Sequence, residues 1–305
     1  MKKLSFALLP LALFAMVSCG GTPASTGNPT TSAGTTTAGD ATTVEATTTT
    51  EEVTQTVFEK QYTFFSYGAT AEGEELDNLY DTFEKGKHKG PNYMLYINLL
   101  KDGNKVEAGR KTMFYTGILA NKTAFSTVGT WTVADGVYTI NLDAFTYNVQ
   151  GTGEWENAAN TLTTAADGTV TWNYEGCKKN EGGELVANPY ETKLMEKVSF
   201  AGEYSGTYYS LTDLEATGKR TENVMDSMEV VAVDDGTYTV TGAMEDSGIS
   251  SYTGTIDTFG VFVGETPRLG GTMKGLFYTE KDGKAHFYMT MEARERNSNA
   301  YGTTI

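Results

Sequence analysis

From residue 92 onward the chain alternates. Tyr138, Ile140 and Leu142 fall at every second position between polar neighbours, and so do Val170, Trp172 and Tyr174. Phe287, Met289 and Met291 repeat the pattern. A period of two marks a half-buried strand, because successive side chains of a strand point to opposite sides. Tyr93–Leu100 departs from it. That run is almost continuously apolar, which predicts a strand covered on both faces. Further strands are expected at 57–67, 106–119, 227–233, 237–243, 250–258, 260–263, 272–279 and 285–293. Asp-Gly pairs stand between such runs at 102–103, 135–136, 167–168, 235–236 and 282–283. Asp-Gly is a strong hairpin signal, since a type I′ turn needs positive φ at both central residues. Helical spacing is confined to 74–85, where Leu76, Leu79, Tyr80 and Phe83 share a face. The class these patterns predict is all-β, with two small antiparallel barrel or sandwich domains.

The pattern also divides the chain. Residues 56–177 read as a first β-rich domain and 200–305 as a second, barrel-like one. The stretch 178–199, with Gly182–Gly183 and Asn188–Pro189, reads as a linker. Within the second domain, 213–222 reads as a polar loop and 294–305 as a polar tail. Two pairs of hairpins resemble each other, but at different offsets, so the similarity stops short of a tandem repeat.

The N-terminus is of another kind. Lys2–Lys3 precede an apolar run from Leu4 to Val17, then Ser18–Cys19–Gly20. Two cations, a short apolar segment and a small residue before the cut describe a secretory signal peptide over 1–18. The run is short for a membrane span of about 20 residues. Met16–Val17–Ser18–Cys19 resembles the lipobox of bacterial lipoproteins, with Met16 where that family has Leu, Val or Ile. The resemblance implies that Cys19 is acylated and becomes the mature N-terminus. Residues 19–55 are rich in Thr, Ala, Gly and Ser and nearly free of large apolar side chains. Such a segment buries too little to offset ordering and is expected to be a disordered tether. Its ends would lie about 30–35 Å apart as a flexible coil.

Composition narrows the function. The net charge is −16, and two units more negative once Lys2 and Lys3 are removed. Nucleic-acid binding needs clustered Lys and Arg, so it is not expected. There are two cysteines; with Cys19 acylated, Cys177 has no intrachain partner. The two histidines, His88 and His286, lie far apart in sequence, and no Cys/His spacing suits a metal. No nucleophile elbow or phosphate loop occurs. Glu154 and Glu156 flank Trp155, a pairing that a glycan-acting enzyme would use if two carboxylates faced one sugar. A solvated loop is the plainer reading. Asp234–Asp235–Gly236 lacks the ligand spacing of a calcium loop and reads as a turn.

Gly254–Thr255–Ile256–Asp257–Thr258–Phe259–Gly260–Val261–Phe262–Val263–Gly264, followed by Leu269–Gly270–Gly271–Thr272–Met273, resembles a pattern near the end of the barrel in transferrin-binding-type surface lipoproteins. The resemblance implies a C-terminal β-barrel and transfers no binding residue. The expected protein is a non-catalytic, lipid-anchored binding protein of a bacterial cell envelope, at the outer membrane or cell surface. It needs no cofactor. Its partners are the membrane, through the lipid, and an extracellular protein or ligand. The alternatives are a lipocalin-like carrier of a small apolar ligand, lined by Phe287, Met289 and Met291, and a glycan-acting enzyme. Loops at Lys85–Pro91, Gly151–Asn160 and Glu265–Gly270 are the expected contact surfaces.

Overall fold

The computed structural model describes residues 57–67, 90–115, 118–149, 153–173, 177–179, 185–187, 192–234, 236–266, 270–293 and 296–305. Cys19, the tether, the expected helix at 74–85 and His88 lie outside them. What is described is almost entirely antiparallel β-sheet, wound into two barrels.

The first barrel draws on twelve strands: β1 (Phe58–Ser66), β2 (Tyr93–Leu100), β3 (Lys105–Tyr115), β4 (Ile118–Ala134), β5 (Val137–Leu142), β6 (Phe145–Val149), β7 (Gly153–Asn157), β8 (Asn160–Thr163), β9 (Val170–Trp172), β10 (Cys177–Lys179), β11 (Leu185–Ala187) and β12 (Thr192–Glu196). Eight of them form one sheet in the order β8-β5-β4-β3-β2-β1-β12-β9. A bridge between Thr164 and Val170 brings β9 back beside β8, so the sheet nearly closes on itself. The remaining four make a small sheet, β11-β10-β7-β6. Inside lie Leu95, Ile97, Leu99, Trp131, Ile140, Leu162, Trp172 and Leu194, with Phe145 and Tyr147 of β6 joining Phe125 and Trp172 in an aromatic group. Burying each large side chain stabilises by roughly 1.5–3 kcal/mol relative to exposure.

The second barrel comprises β13 (Gly202–Ser210), β14 (Asn223–Val224), β15 (Ser227–Asp234), β16 (Thr237–Met244), β17 (Ile249–Ile256), β18 (Val261–Thr266), β19 (Gly271–Thr279), β20 (Ala285–Ala293) and β21 (Arg296–Thr304). β13 pairs with both β14 and β15, each strand from β15 onward pairs with its successor, and β21 pairs with β13 from Tyr204 to Ser210, closing the ring. One helix, α1 (Leu211–Thr217), follows β13. Ser210 caps its N-terminus by accepting from the Asp213 N–H at 3.1 Å, and Gly218 at φ 67 ends it.

The hairpins and the covered strand stand where the pattern predicts them, but among the described Asp-Gly pairs the type I′ geometry holds only at 135–136. Asp135 and Gly136 both have positive φ, 52° and 79°. Elsewhere only the glycine of the pair does, at Gly168 and Gly283, so those turns are of a different type. β2 is covered on both faces, by its own core and by the second barrel.

Four readings need correction. The expected linker contains β11 and β12, and β12 pairs with both β1 and β9. Its single large inward residue, Leu194, is fully buried and carries no periodic signal of its own. The expected strand at 106–119 reverses between Tyr115 and Ile118, and β4 continues to Ala134. The polar loop at 213–222 contains most of α1. The polar tail is β21, which closes the second barrel. Its inward positions Ser298, Ala300 and Gly302 are small because Phe287 and Met289 fill the space opposite. A Cβ on Gly302 would strike the Phe287 ring and the Gly206 backbone.

Candidate functional site

Titratable groups gather where the barrels meet. Strand alternation sends Tyr62, Leu95, Ile97 and Leu99 into the first barrel. Thr63 and Phe65 of β1, with Met94, Tyr96 and Asn98 of β2, then face the second. Tyr67, Met94, Tyr96, Met113 and Phe114 pack there against Val261, Leu276, Tyr278 and Tyr288. The turn between β17 and β18 acts as a plug. Asp257 Oδ1 accepts from the Phe259 N–H at 2.9 Å and the Val261 N–H at 2.8 Å, and Gly260 takes φ 86. Phe259 is thereby set edge-on to Tyr96 at 5.1 Å, with Lys111 Nζ 3.8 Å from its ring centre.

Lys197 lies beside this plug, on the segment joining the barrels. Its Nζ donates to the Thr258 carbonyl at 2.7 Å and to Gln61 Oε1 at 3.2 Å, and stands 4.7 Å from the Phe200 ring centre. Burial pushes its pKa down to about 8, with Asp257 opposing. The cavity next to it, bordered by Gln61, Thr63, Asn98 and Thr258, measures about 10 Å³. That is room for roughly one water molecule, not for a substrate. At the far side of the junction Tyr67 donates its hydroxyl to Glu280 Oε1. Burial raises the Glu280 pKa, with the Tyr67 bond opposing. His286 bonds Asp282 at 3.0 Å and lies over the Tyr278 ring at 6.0 Å. The bonds of Lys197 to Gln61 and Thr258, and of Tyr67 to Glu280, join the two barrels. Among the described residues, no three His, Cys, Asp or Glu side chains cluster as a metal site.

The second barrel carries a larger feature on its outer wall. β13 meets β15 only at Gly202–Val230 and Glu203–Glu229, and meets β14 at Thr207–Val224 and Tyr208–Asn223. Between these contacts Met225 and Asp226 interrupt the strand. A groove of about 520 Å³ follows this seam. Exposed Glu203, Asp226 and Glu229 stand along it, while Tyr204, Met228 and Gly242, which belong to the barrel's inner face, form its base. Directly behind Gly242 lies Tyr252. A Cβ on Gly242 would overlap its ring and hydroxyl. Tyr252 is fully buried, and its Oη has no hydrogen-bond partner among the described residues.

The expected contact loops are placed differently. Gly90 and Pro91, the described end of the first loop, are buried, and a Cβ on Gly90 would strike the Tyr288 ring. Glu154, Trp155 and Glu156 lie in β7, paired with β6 and β10, where a loop was expected. In the third loop Glu265 is exposed at the end of β18, while Thr266 is buried and its Oγ1 accepts from the Gly271 N–H at 2.9 Å. Gly254 and Gly264, from the lipoprotein-like motif, face each other across β17 and β18 and make room for the Phe262 ring. Cys177 sits in β10, Asp234 ends β15, and Gly236 stands just before β16. Sequence reasoning missed the groove and Lys197. An incomplete strand pairing leaves no periodic trace, and Lys197 stands in the stretch read as a linker. No protein-family model matches the chain, and no curated protein or solved structure matches it.

Proposed function

We propose that the chain is a bacterial envelope lipoprotein, held by an acyl group on Cys19, that binds an extracellular partner without catalysis. One observation supports this reading above the others: the barrel interiors are filled by their own side chains. In the second barrel Phe287 touches Tyr204 and Phe277 at ring distances of 5.8 and 5.7 Å, and Phe287, Met289 and Met291 are at most 4% exposed. The space a lipocalin-like carrier would keep open is taken up. Contact then falls to outer surfaces, on a pair of barrels held rigid by their apolar junction. The Thr-rich segment before residue 56 would present such a body away from the membrane.

The anchor is tested in a bacterial host fed an alkyne-tagged fatty acid. Wild-type protein is expected to take up the tag and fractionate with the envelope. Cys19→Ala should lose both properties. A Cys19→Ala chain that still carries the tag would overturn the anchor.

A further inference from the structure

We propose that the cavity beside Lys197 is a binding site for one ordered water, which joins Lys197 to Thr63 and is a fixed part of the junction between the barrels. Size sets the ligand. At about 10 Å³ the space matches a single water molecule. Strand register sets its polar wall. Gln61 and Thr63 stand two apart on β1, so they share a face, and they pair with Asn98 and Tyr96 of β2. Lys197 and the Thr258 carbonyl close over Gln61, and the rings of Phe200 and Phe259 complete the lining.

Most hydrogen-bonding groups of this wall are committed to one another. Gln61 Nε2 donates to Asn98 Oδ1 at 3.1 Å and to the Thr258 carbonyl at 3.4 Å. Lys197 has a pKa of about 8, so near neutral pH it is mostly an ammonium with three N–H donors. Two of them go to Thr258 and Gln61. Two groups are left over. One is the third N–H of Lys197. The other is Thr63 Oγ1, buried and without a hydrogen-bond partner among the described residues. In so apolar a setting an unmet hydroxyl is costly. A water in the shared space accepts from the ammonium and donates to Thr63. Asn98 Nδ2, the end of the carboxamide that Gln61 does not engage, supplies a third bond, which is the usual number for a buried water.

The test uses the full chain carrying Cys19→Ala, so that it stays free of acyl groups. Oxygen-17 relaxation dispersion of the solvent counts long-resident waters independently of proton exchange. Thr63→Ile adds a methyl group toward the cavity and should lower the count by one. Thr63→Val keeps the volume and removes only the hydroxyl. Were the cavity dry, valine would relieve an unmet polar group, and the melting temperature would hold or rise. With the water in place, valine removes its acceptor, and the melting temperature should fall by about 2 °C or more. An unchanged water count in a folded Thr63→Ile chain, or a Thr63→Val chain as stable as its parent, would overturn the site. Should the isoleucine variant fail to fold, the valine variant decides alone.

Discussion

Counted along the ring strands alone, leaving out β14 and the small sheet of β6, β7, β10 and β11, each barrel carries the same hairpin between strands six and seven. In the first, the Ala165 N–H bonds the Thr169 carbonyl at 2.8 Å, and the Gly168 N–H bonds the Ala165 carbonyl at 2.9 Å. In the second, Glu280 and Lys284 repeat the first bond at 3.1 Å, and Gly283 and Glu280 the second at 2.9 Å. Asp167 and Asp282 each accept from the N–H two residues on. Asp102–Gly103 also stands between ring strands two and three of the first barrel, and Gly236 at the matching place in the second, between β15 and β16. The cores, by contrast, are unlike. The first is built from Leu, Ile, Val and Trp without a methionine; the second holds Met225, Met228, Met244, Met273, Met289 and Met291. One chain path thus tolerates two chemistries of filling. Turn geometry sets the path, and core composition sets how firmly the interior resists change.

The largest expected effect separates the cores. Ile97 and Met273 are each fully buried, one in each barrel. Ile97→Ala should cost about 4 kcal/mol, because branched neighbours such as Leu95 and Ile140 collapse poorly around the gap. Met273→Ala should cost only about 2 kcal/mol, as Met291 and its neighbours move in. Urea unfolding of the two variants measures both values. Equal costs would remove the distinction between a stiff barrel and a yielding one.

Next in size is the lysine between them. The folded chain holds the Lys197 pKa at about 8 against an ordinary value of 10.5. The unfolded chain therefore binds the extra proton in that window, and stability must rise as pH climbs through it. The gain is about 2 kcal/mol between roughly pH 7 and 9.5. Above about pH 10 the trend reverses. Buried Tyr204 and Tyr252 have raised pKa values, so their unfolded forms lose protons first. Lys197→Met should flatten the rise below pH 9.5 and leave the fall above it. A Lys197→Met chain that keeps the rise would place its cause elsewhere than the junction.

Much of this was legible in advance, and the failures have particular causes. β2, β16 and β20 announce themselves because large side chains fill their inner faces. β21 does not: Ser298, Ala300 and Gly302 are inner-face residues chosen for smallness, and smallness looks like polarity in a hydrophobic pattern. In β12 the adjacent apolar pair Leu194–Met195, between Thr192–Lys193 and Glu196, shows no alternation, although only Leu194 is fully buried. The rim acids of the groove were visible as residues, but their convergence depends on β13 and β15 meeting only at Gly202–Val230 and Glu203–Glu229. That pairing is a long-range fact. The same holds for Lys197, whose depressed pKa comes from two barrels closing over it.

The smallest expected effect bears on the shared plan. Gly168 and Gly283 have φ of 80° and 75°, and a Cβ on either would meet nothing within 4 Å. Substitution by alanine therefore probes backbone strain alone. An L-residue in the left-handed region costs up to about 2 kcal/mol relative to glycine, and the alanine's smaller unfolded-state entropy offsets part of that. Gly168→Ala and Gly283→Ala should each lower stability by about 1 kcal/mol, and by the same amount within error. Because the sites lie in different barrels with different cores, equality would show that the turn sets its own cost. A twofold or greater disparity would mean that the stiff and yielding interiors reach their hairpins after all, and that path and filling are not separable.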